Sequence, residues 1–274
     1  MDEPKTEVLT LINSRFASMS KSEQRVAQYI QGNPDEIVML SLQALAGKCG
    51  TSDATVLRFC RSLGYSGFQD MKSTFIPELL RRGVNPTPEL TNAADPSAAY
   101  SARLAEDTRR TMSLLSQDTV NTIAEALVCS SRNLMVGLAG SAGVGRIFAD
   151  TLSSAGVPAT AISDRVEIER ACDTIRPGQV VIGISHSGET PEVIAALHRS
   201  RERNAVTVGM TNYSPSSVEK AATHVLLTSV AEGLLGSYSC HPRILELVVL
   251  EMLMASVAGK LAAGGGSRRE EHYR

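Results

Sequence analysis

Three hydroxyls, a glycine and a carboxylate fall within six positions in the stretch SHSGET, residues 185–190, between the apolar run GQVVIGI and the helix-like PEVIAALHRSRER. Ser185, Ser187 and Thr190 can each donate to an anion, and Gly188 permits a close turn. Pro191 suits the first turn of a helix, which makes Thr190 a candidate N-cap. A helix that begins where a buried strand ends presents free N–H groups and the positive end of its dipole, a setting that favours an anion. A second stretch, GSAGVG at 140–145, follows the apolar NLMVGLA and offers Ser141 between Gly140 and Gly143, which let a ligand approach the backbone. One serine at such a junction does no more than cap a helix, but three hydroxyls and a second junction exceed what one cap requires. Neither stretch contains Lys or Arg, so the pair suits a phosphomonoester on a polyol, held by dipoles and hydroxyls more than by full charge. The dinucleotide pattern GxGxxG cannot be laid on 137–145, which argues against a nicotinamide and leaves no cofactor indicated.

These junctions need a scaffold, and the chain supplies one after residue 100. The short apolar runs NLMVGLA, PATAI, QVVIGI, AVTVGM and THVLLTS alternate with helical segments and are rich enough in Val, Ile and Leu to be strands buried on both faces. That pattern predicts an α/β domain with a parallel sheet over 100–263. Before it, GVNPTPELTNAADPSA has the prolines and asparagines of a linker, placed over 83–99. The tail GGGSRREEHYR, 264–274, has no core residues and reads as disordered.

Residues 1–82 read as an all-α domain. Ser20 and Glu23 have capping-box spacing ahead of an apolar stripe of Val26, Ala27 and Ile30. Ser41 can cap a short helix carrying Leu42, Leu45 and Ala46. A turn through Gly50 follows, and Thr51 or Ser52 can cap another helix whose Val56, Phe59, Cys60 and Leu63 face inward. Ser52, Asp53, Thr55, Arg58 and Arg61 are then left outward or at the helix start. Two helices about a glycine turn match a helix-turn-helix, whose second helix enters the major groove of double-stranded DNA, although a plain helical hairpin has the same outline. Lys48, Arg58, Arg61 and Lys72 are the candidates for phosphates and a guanine edge, and Asp53 can accept from a cytosine amino group.

Charge supports that division. The chain has 274 residues and a formal charge of -2, yet residues 41–82 hold six cations against three acids, a balance of +3 that leaves -5 for the rest. The five cysteines form no CxxC pair or Cys/His cluster, so no metal site is indicated, and reduced thiols are the simplest reading. MDEPKTEVL lacks the features of a signal peptide, and the longest apolar stretch, ILELVVLEMLMASVA, contains Glu246 and Glu251. A cytoplasmic protein with no membrane partner is expected.

In SKSEQRVAQYI, TSDATVLRFCRSLGYSGFQDMK, GLAGSAGVG and ISHSGETPEVI the chain resembles the RpiR family of bacterial transcriptional regulators, over roughly residues 5 to 260. The resemblance implies a helix-turn-helix joined to a sugar isomerase (SIS) domain, a fold with a five-stranded parallel sheet flanked by helices. It implies that Ser185, Ser187 and Thr190 take the phosphate of a sugar-phosphate effector, with Ser141 contributing. It further implies a homodimer joined through both domains, with pairing into tetramers left open. The expected function is a DNA-binding regulator of carbohydrate metabolism, by family default a repressor relieved by its ligand. One departure stands out: where the family carries two small hydroxyl residues before an arginine, SYSCHPRILEL places His241 and Pro242 before Arg243. Either Ser239 supplies the lost hydroxyl or the effector differs from the usual hexose phosphates. Two alternatives stay open: an aldose–ketose isomerase using Glu232, Glu189 or His241 as base or acid, and a sensor whose partner is a protein. No residue is assigned a catalytic role in the leading reading.

Overall fold

The computed structural model describes residues 7–37, 40–81, 92–230 and 239–271. The chain forms two compact units, one over Met1–Tyr100 and one over Ser101–Ala231 with Ser239–Arg274.

The N-terminal unit holds helices α1 (Val8–Arg15), α2 (Lys21–Gly32), α3 (Pro34–Ile37), α4 (Leu42–Lys48), α5 (Asp53–Ser62) and α6 (Phe68–Arg81). The capping box closes as its spacing predicts: Glu23 N–H donates to Ser20 Oγ at 3.4 Å and Ser20 N–H to Glu23 Oε2 at 2.9 Å. Ser41 Oγ accepts the Ala44 N–H at 3.1 Å, starting α4. The chain then turns through Gly50, at φ +59°, into α5. Val26, Ala27, Ile30, Leu45, Val56, Phe59 and Cys60 pack together in a buried core. Burial pushes the Cys60 thiol up to about 12, whereas Cys129 and Cys240 are exposed. A thiol-reactive dye should therefore label Cys129 and Cys240 in the native protein and reach Cys60 only after denaturation. Rapid native labelling of Cys60 would contradict this core.

The second unit is built from α7 (Pro96–Leu114), α8 (Gln117–Cys129), β1 (Asn133–Gly137), α9 (Gly140–Ser154), β2 (Ala159–Ile162), α10 (Arg165–Asp173), β3 (Val180–Ile184), α11 (Pro191–Glu202), β4 (Val206–Thr211), α12 (Ser217–Ala221), β5 (His224–Leu227) and α13 (His241–Glu271). All strand pairs are parallel, in the order β2-β1-β3-β4-β5. Alternation along each strand divides the core between two faces. Met135, Val180, Ile182 and Ile184 pack under α8, α9 and α13, through residues such as Leu127, Phe148 and Leu253. Leu134, Val136 and Val181 meet Cys172 of α10, Leu197 of α11 and Val218 of α12.

One expectation is corrected here, and two domain bounds meet described elements. All five apolar runs form strands, but β2 and β5 are only partly buried, because they lie at the edges of the sheet and lack a neighbour on one side. The linker read over 83–99 falls partly on residues 82–91, outside the described ones, and α7 already begins at Pro96. The Ala98 N–H donates to Asp95 Oδ1 at 3.0 Å, so Asp-Pro serves as N-cap and first helical residue. The backbone of α13 runs to Glu271, into the tail read as disordered, because extending a formed helix adds one hydrogen bond per residue ordered. Among the described residues no helix is long and apolar enough to cross a membrane.

Candidate functional site

Strand order decides where the two hydroxyl-bearing junctions lie. In an open parallel sheet of order 2-1-3-4-5 the connections leave β1 and β3 in opposite directions, and the helices that follow go to opposite faces. Here α9, after β1, packs on one face and α11, after β3, on the other. The two strands pair directly, with Gly137 beside Ile184 at their carboxyl ends. Ser141 and Ser185 therefore flank the same crevice, one at the start of α9 and the other one residue beyond β3.

The N-cap hydroxyl at the α11 junction makes no cap bond. Thr190 occupies the N-cap position without a side-chain cap bond, and its Oγ1 lies 2.7 Å from Ser185 Oγ, which is buried. Ser187 Oγ accepts the Glu189 N–H at 3.3 Å and is half-buried. Gly188 sits at φ +70°, where a Cβ would lie 2.5 Å from Ser216 Cβ and 2.8 Å from Thr211 Oγ1. Gly188→Ala should cost about 2–4 kcal/mol from left-handed strain and overpacking together. Calorimetry should register it as a melting point lower by about 5–15 °C.

At the α9 junction the N-cap, Ala139, is forced to φ 49°, ψ -125°, an outlier for a residue with a Cβ. Gly140 does not leave room for a ligand as expected: a Cβ there would fall 2.8 Å from Arg243 Nε, so the space belongs to the Arg243 side chain. Arg243, in the first turn of α13, donates through Nη1 to Ser141 Oγ at 2.8 Å and also to Glu246 Oε1. A full charge thus stands at a site whose two loops contain none. Glu246 is 1% exposed, and burial pushes its carboxyl up against the pull of the Arg243 guanidinium. Its Oε1 lies 3.9 Å from Nδ1 of buried His186, whose ring meets Tyr213 edge-on at 5.9 Å between centroids. Contacts therefore run from Ser141 through Arg243, Glu246 and His186 into the SHSGET loop. In the sequence Arg243 stands out only as part of a family pattern, Glu246 only as a charge within an apolar stretch, and Tyr213 not at all; a helix start and a strand end are too distant in sequence to be joined by pattern.

The remaining candidates have other partners. Ser239 Oγ accepts the His241 N–H at 3.1 Å, a helix cap. His241 Nε2 lies 2.7 Å from Asp107 Oδ2, both buried, and Arg110 of α7 also bonds Asp107. Glu189 accepts both the N–H and the hydroxyl of Ser217, at 2.9 and 2.6 Å. Glu232 lies outside the described residues.

In the N-terminal unit, Ser52, Arg58 and Arg61 are exposed and Asp53 is half-buried at the start of α5. Lys48 is exposed but paired with Glu36 at 2.9 Å and set over the Tyr29 ring. Arg25 of α2, which no sequence motif singles out, is exposed and reaches the Gly50 turn, where a Cβ would lie 3.6 Å from its Nη1. Two expected members are not on this face. Thr55 is buried, because it shares the inward stripe of Val56 and Phe59. Lys72 is 4% exposed, because on α6 it shares a face with Phe68, Met71, Phe75 and Leu79. Its stem covers the core and its ammonium bonds the Leu40 carbonyl at 3.0 Å. Lys72→Met should change the salt dependence of DNA binding little and register in the melting curve; a shallower salt dependence would return Lys72 to the interface.

Comparison with known proteins agrees with both halves. A helix-turn-helix model of the rpiR family matches residues 6–81, and a SIS domain model matches residues 126–256. An uncharacterized HTH-type transcriptional regulator of Caldanaerobacter subterraneus is 30% identical over 259 residues, 93% of this chain and 92% of the relative. The HTH-type transcriptional regulator HexR of Escherichia coli is 27% identical over 250 residues, 90% of this chain and 86% of HexR. Among solved structures, the Vibrio vulnificus NanR protein complexed with ManNAc-6P shares the fold with a TM-score of 0.69 and 24% identity, over 97% of this chain and 96% of that one. The sugar isomerase domain of an RpiR transcription factor from Sphaerobacter thermophilus gives a TM-score of 0.52 at 22% identity, over 61% of this chain and 95% of that domain. With two units of these types in this order, and a relative of that identity over nearly its whole length, the chain belongs to the RpiR family of helix-turn-helix transcriptional regulators with a SIS domain.

Proposed function

We propose that this regulator is a cytoplasmic, homodimeric repressor whose operator binding is controlled by a phosphorylated sugar held between the β1 and β3 ends. The observation that carries the reading is the meeting of two hydroxyl-bearing helix starts at the point where strand order reverses. Ser185, Ser187, Gly188 and Thr190 form the phosphate cradle, and Ser141 borders it. A dimer presents two copies of α5 to half-sites about one helical turn, or a multiple of it, apart. The ligand acts by binding the DNA-competent and DNA-incompetent conformations with different affinities. Solved NanR with ManNAc-6P supports this choice of ligand class.

Turnover is not part of this function. Of the groups offered for isomerase chemistry, Glu189 accepts from Ser217 and His241 pairs with Asp107, and this reading gives neither a catalytic role.

A thermal-shift panel of fructose 6-phosphate, glucose 6-phosphate and N-acetylmannosamine 6-phosphate tests the reading, followed by anisotropy on a duplex that the protein selects from a random pool. A sugar phosphate at a hundred times its Kd stabilises the folded state by about 2.7 kcal/mol and should weaken DNA binding in parallel. A panel without stabilisation, or a bound ligand without effect on DNA, contradicts the proposal.

A further inference from the structure

Beside the proposed phosphate cradle, three buried polar atoms have no hydrogen-bond partner among the described residues: Arg243 Nε, Glu246 Oε2 and Tyr213 Oη. They belong to one constellation, since Arg243 bonds Glu246, Glu246 lies 3.9 Å from His186, and the His186 ring meets Tyr213. Orphaned atoms of this kind are rare, because each loses its water without replacement, and three in one contact chain need a common explanation. They are a donor, a charged acceptor and a hydroxyl that can act as either. A sugar hydroxyl donates and accepts at once, and a carboxylate beside a guanidinium suits a pair of them.

We infer that Arg243, Glu246 and Tyr213 read the hydroxyl end of the effector, which must be a polyol phosphate presenting at least two hydroxyls away from its phosphate. This rests on the phosphate-cradle reading and gives the two sides of the site different roles. The SHSGET loop holds the phosphate, and the wall formed by α13 and the end of β4 selects the sugar. Gly140 gains a role as well. The Arg243 Nε edge lies over Gly140 with no room for a Cβ, so an alanine there displaces the guanidinium. Gly140 has no positive φ, and its replacement by alanine at a helix start carries no backbone penalty.

The test is isothermal titration of the full-length protein with inorganic phosphate, glucose 6-phosphate, fructose 6-phosphate and N-acetylmannosamine 6-phosphate. At least one hexose phosphate should bind at least tenfold more tightly than inorganic phosphate. Glu246→Gln, which puts a donor where Oε2 accepts, should lower that advantage by about tenfold or more, in line with the loss of a charged hydrogen bond. Gly140→Ala should do the same with the fold intact, and Tyr213→Phe should have a smaller effect in the same direction. Phosphate affinity should stay within about twofold in Glu246→Gln and Tyr213→Phe, since neither side chain faces the phosphate in this division. Hexose phosphates that bind no better than inorganic phosphate, or an advantage that survives both Glu246→Gln and Gly140→Ala, overturn the inference. Failure of the cradle reading looks different: phosphate binding then survives Ser185→Ala with Ser187→Ala, while the hexose advantage still depends on Glu246.

Discussion

Replacing Arg58 and Arg61 together by alanine is expected to weaken operator binding by roughly 30- to 1,000-fold near physiological salt, from about 2–4 kcal/mol shared between two guanidinium contacts. The salt dependence should become shallower as well, by about 0.9 in the log–log slope for each phosphate contact removed. Both side chains are exposed on α5, and the bond from Arg58 to Thr55 Oγ1 is long at 3.4 Å. The substitutions should therefore leave the melting temperature almost unchanged, which separates lost contact from lost fold. Fluorescence anisotropy over a salt series measures both quantities. Unchanged affinity and slope would remove α5 from the DNA interface and favour a protein partner at that face.

Ser185→Ala with Ser187→Ala is expected to abolish the response to a sugar phosphate while operator binding without ligand stays at its wild-type level. Each hydroxyl bonded to a phosphate oxygen contributes about 1.5–3 kcal/mol, so the pair together removes about 100-fold or more in ligand affinity. A small cost in stability goes with it, because Thr190 Oγ1 loses Ser185 Oγ at 2.7 Å. The two readouts are the ligand concentration that releases half the DNA and the affinity of the ligand-free protein. A response that persists at the wild-type concentration would place the effector elsewhere. Loss of DNA binding without ligand would show that the loop maintains the DNA-competent conformation itself.

The two substitutions separate functions that lie more than a hundred residues apart in the chain, and the sequence is unevenly informative about them. Around α5 it is a good guide where one helix decides the answer. Ser20, Glu23 and Ser41 cap as their spacing requires, and Val56, Phe59 and Cys60 point inward. It misleads at Thr55 and Lys72, polar residues that fall on apolar stripes. There the helix period outweighs residue type, and a lysine stem on a core face buries itself with its ammonium bonded to a carbonyl. Periodicity alone is enough to place both residues on the inward face.

In the SIS domain, local chemistry in the sequence was enough to determine the strands, the parallel α/β class and the two helix starts rich in hydroxyls. Those depend on short-range rules: strand composition, glycine and proline punctuation, and the N–H groups that every helix start leaves open. Only the tertiary structure decided that the junctions at Ser141 and Ser185 share one crevice, because that follows from β1 and β3 being neighbours with their helices on opposite faces. It also decided that Gly140 makes way for Arg243, that Glu189 and His241 have partners of their own, and that Glu246 Oε2 and Tyr213 Oη are buried without a hydrogen-bond partner among the described residues. Each of these is a contact across 28 to 134 positions or an unpartnered atom in a buried wall. Packing of whole elements sets such contacts, and no local pattern encodes them.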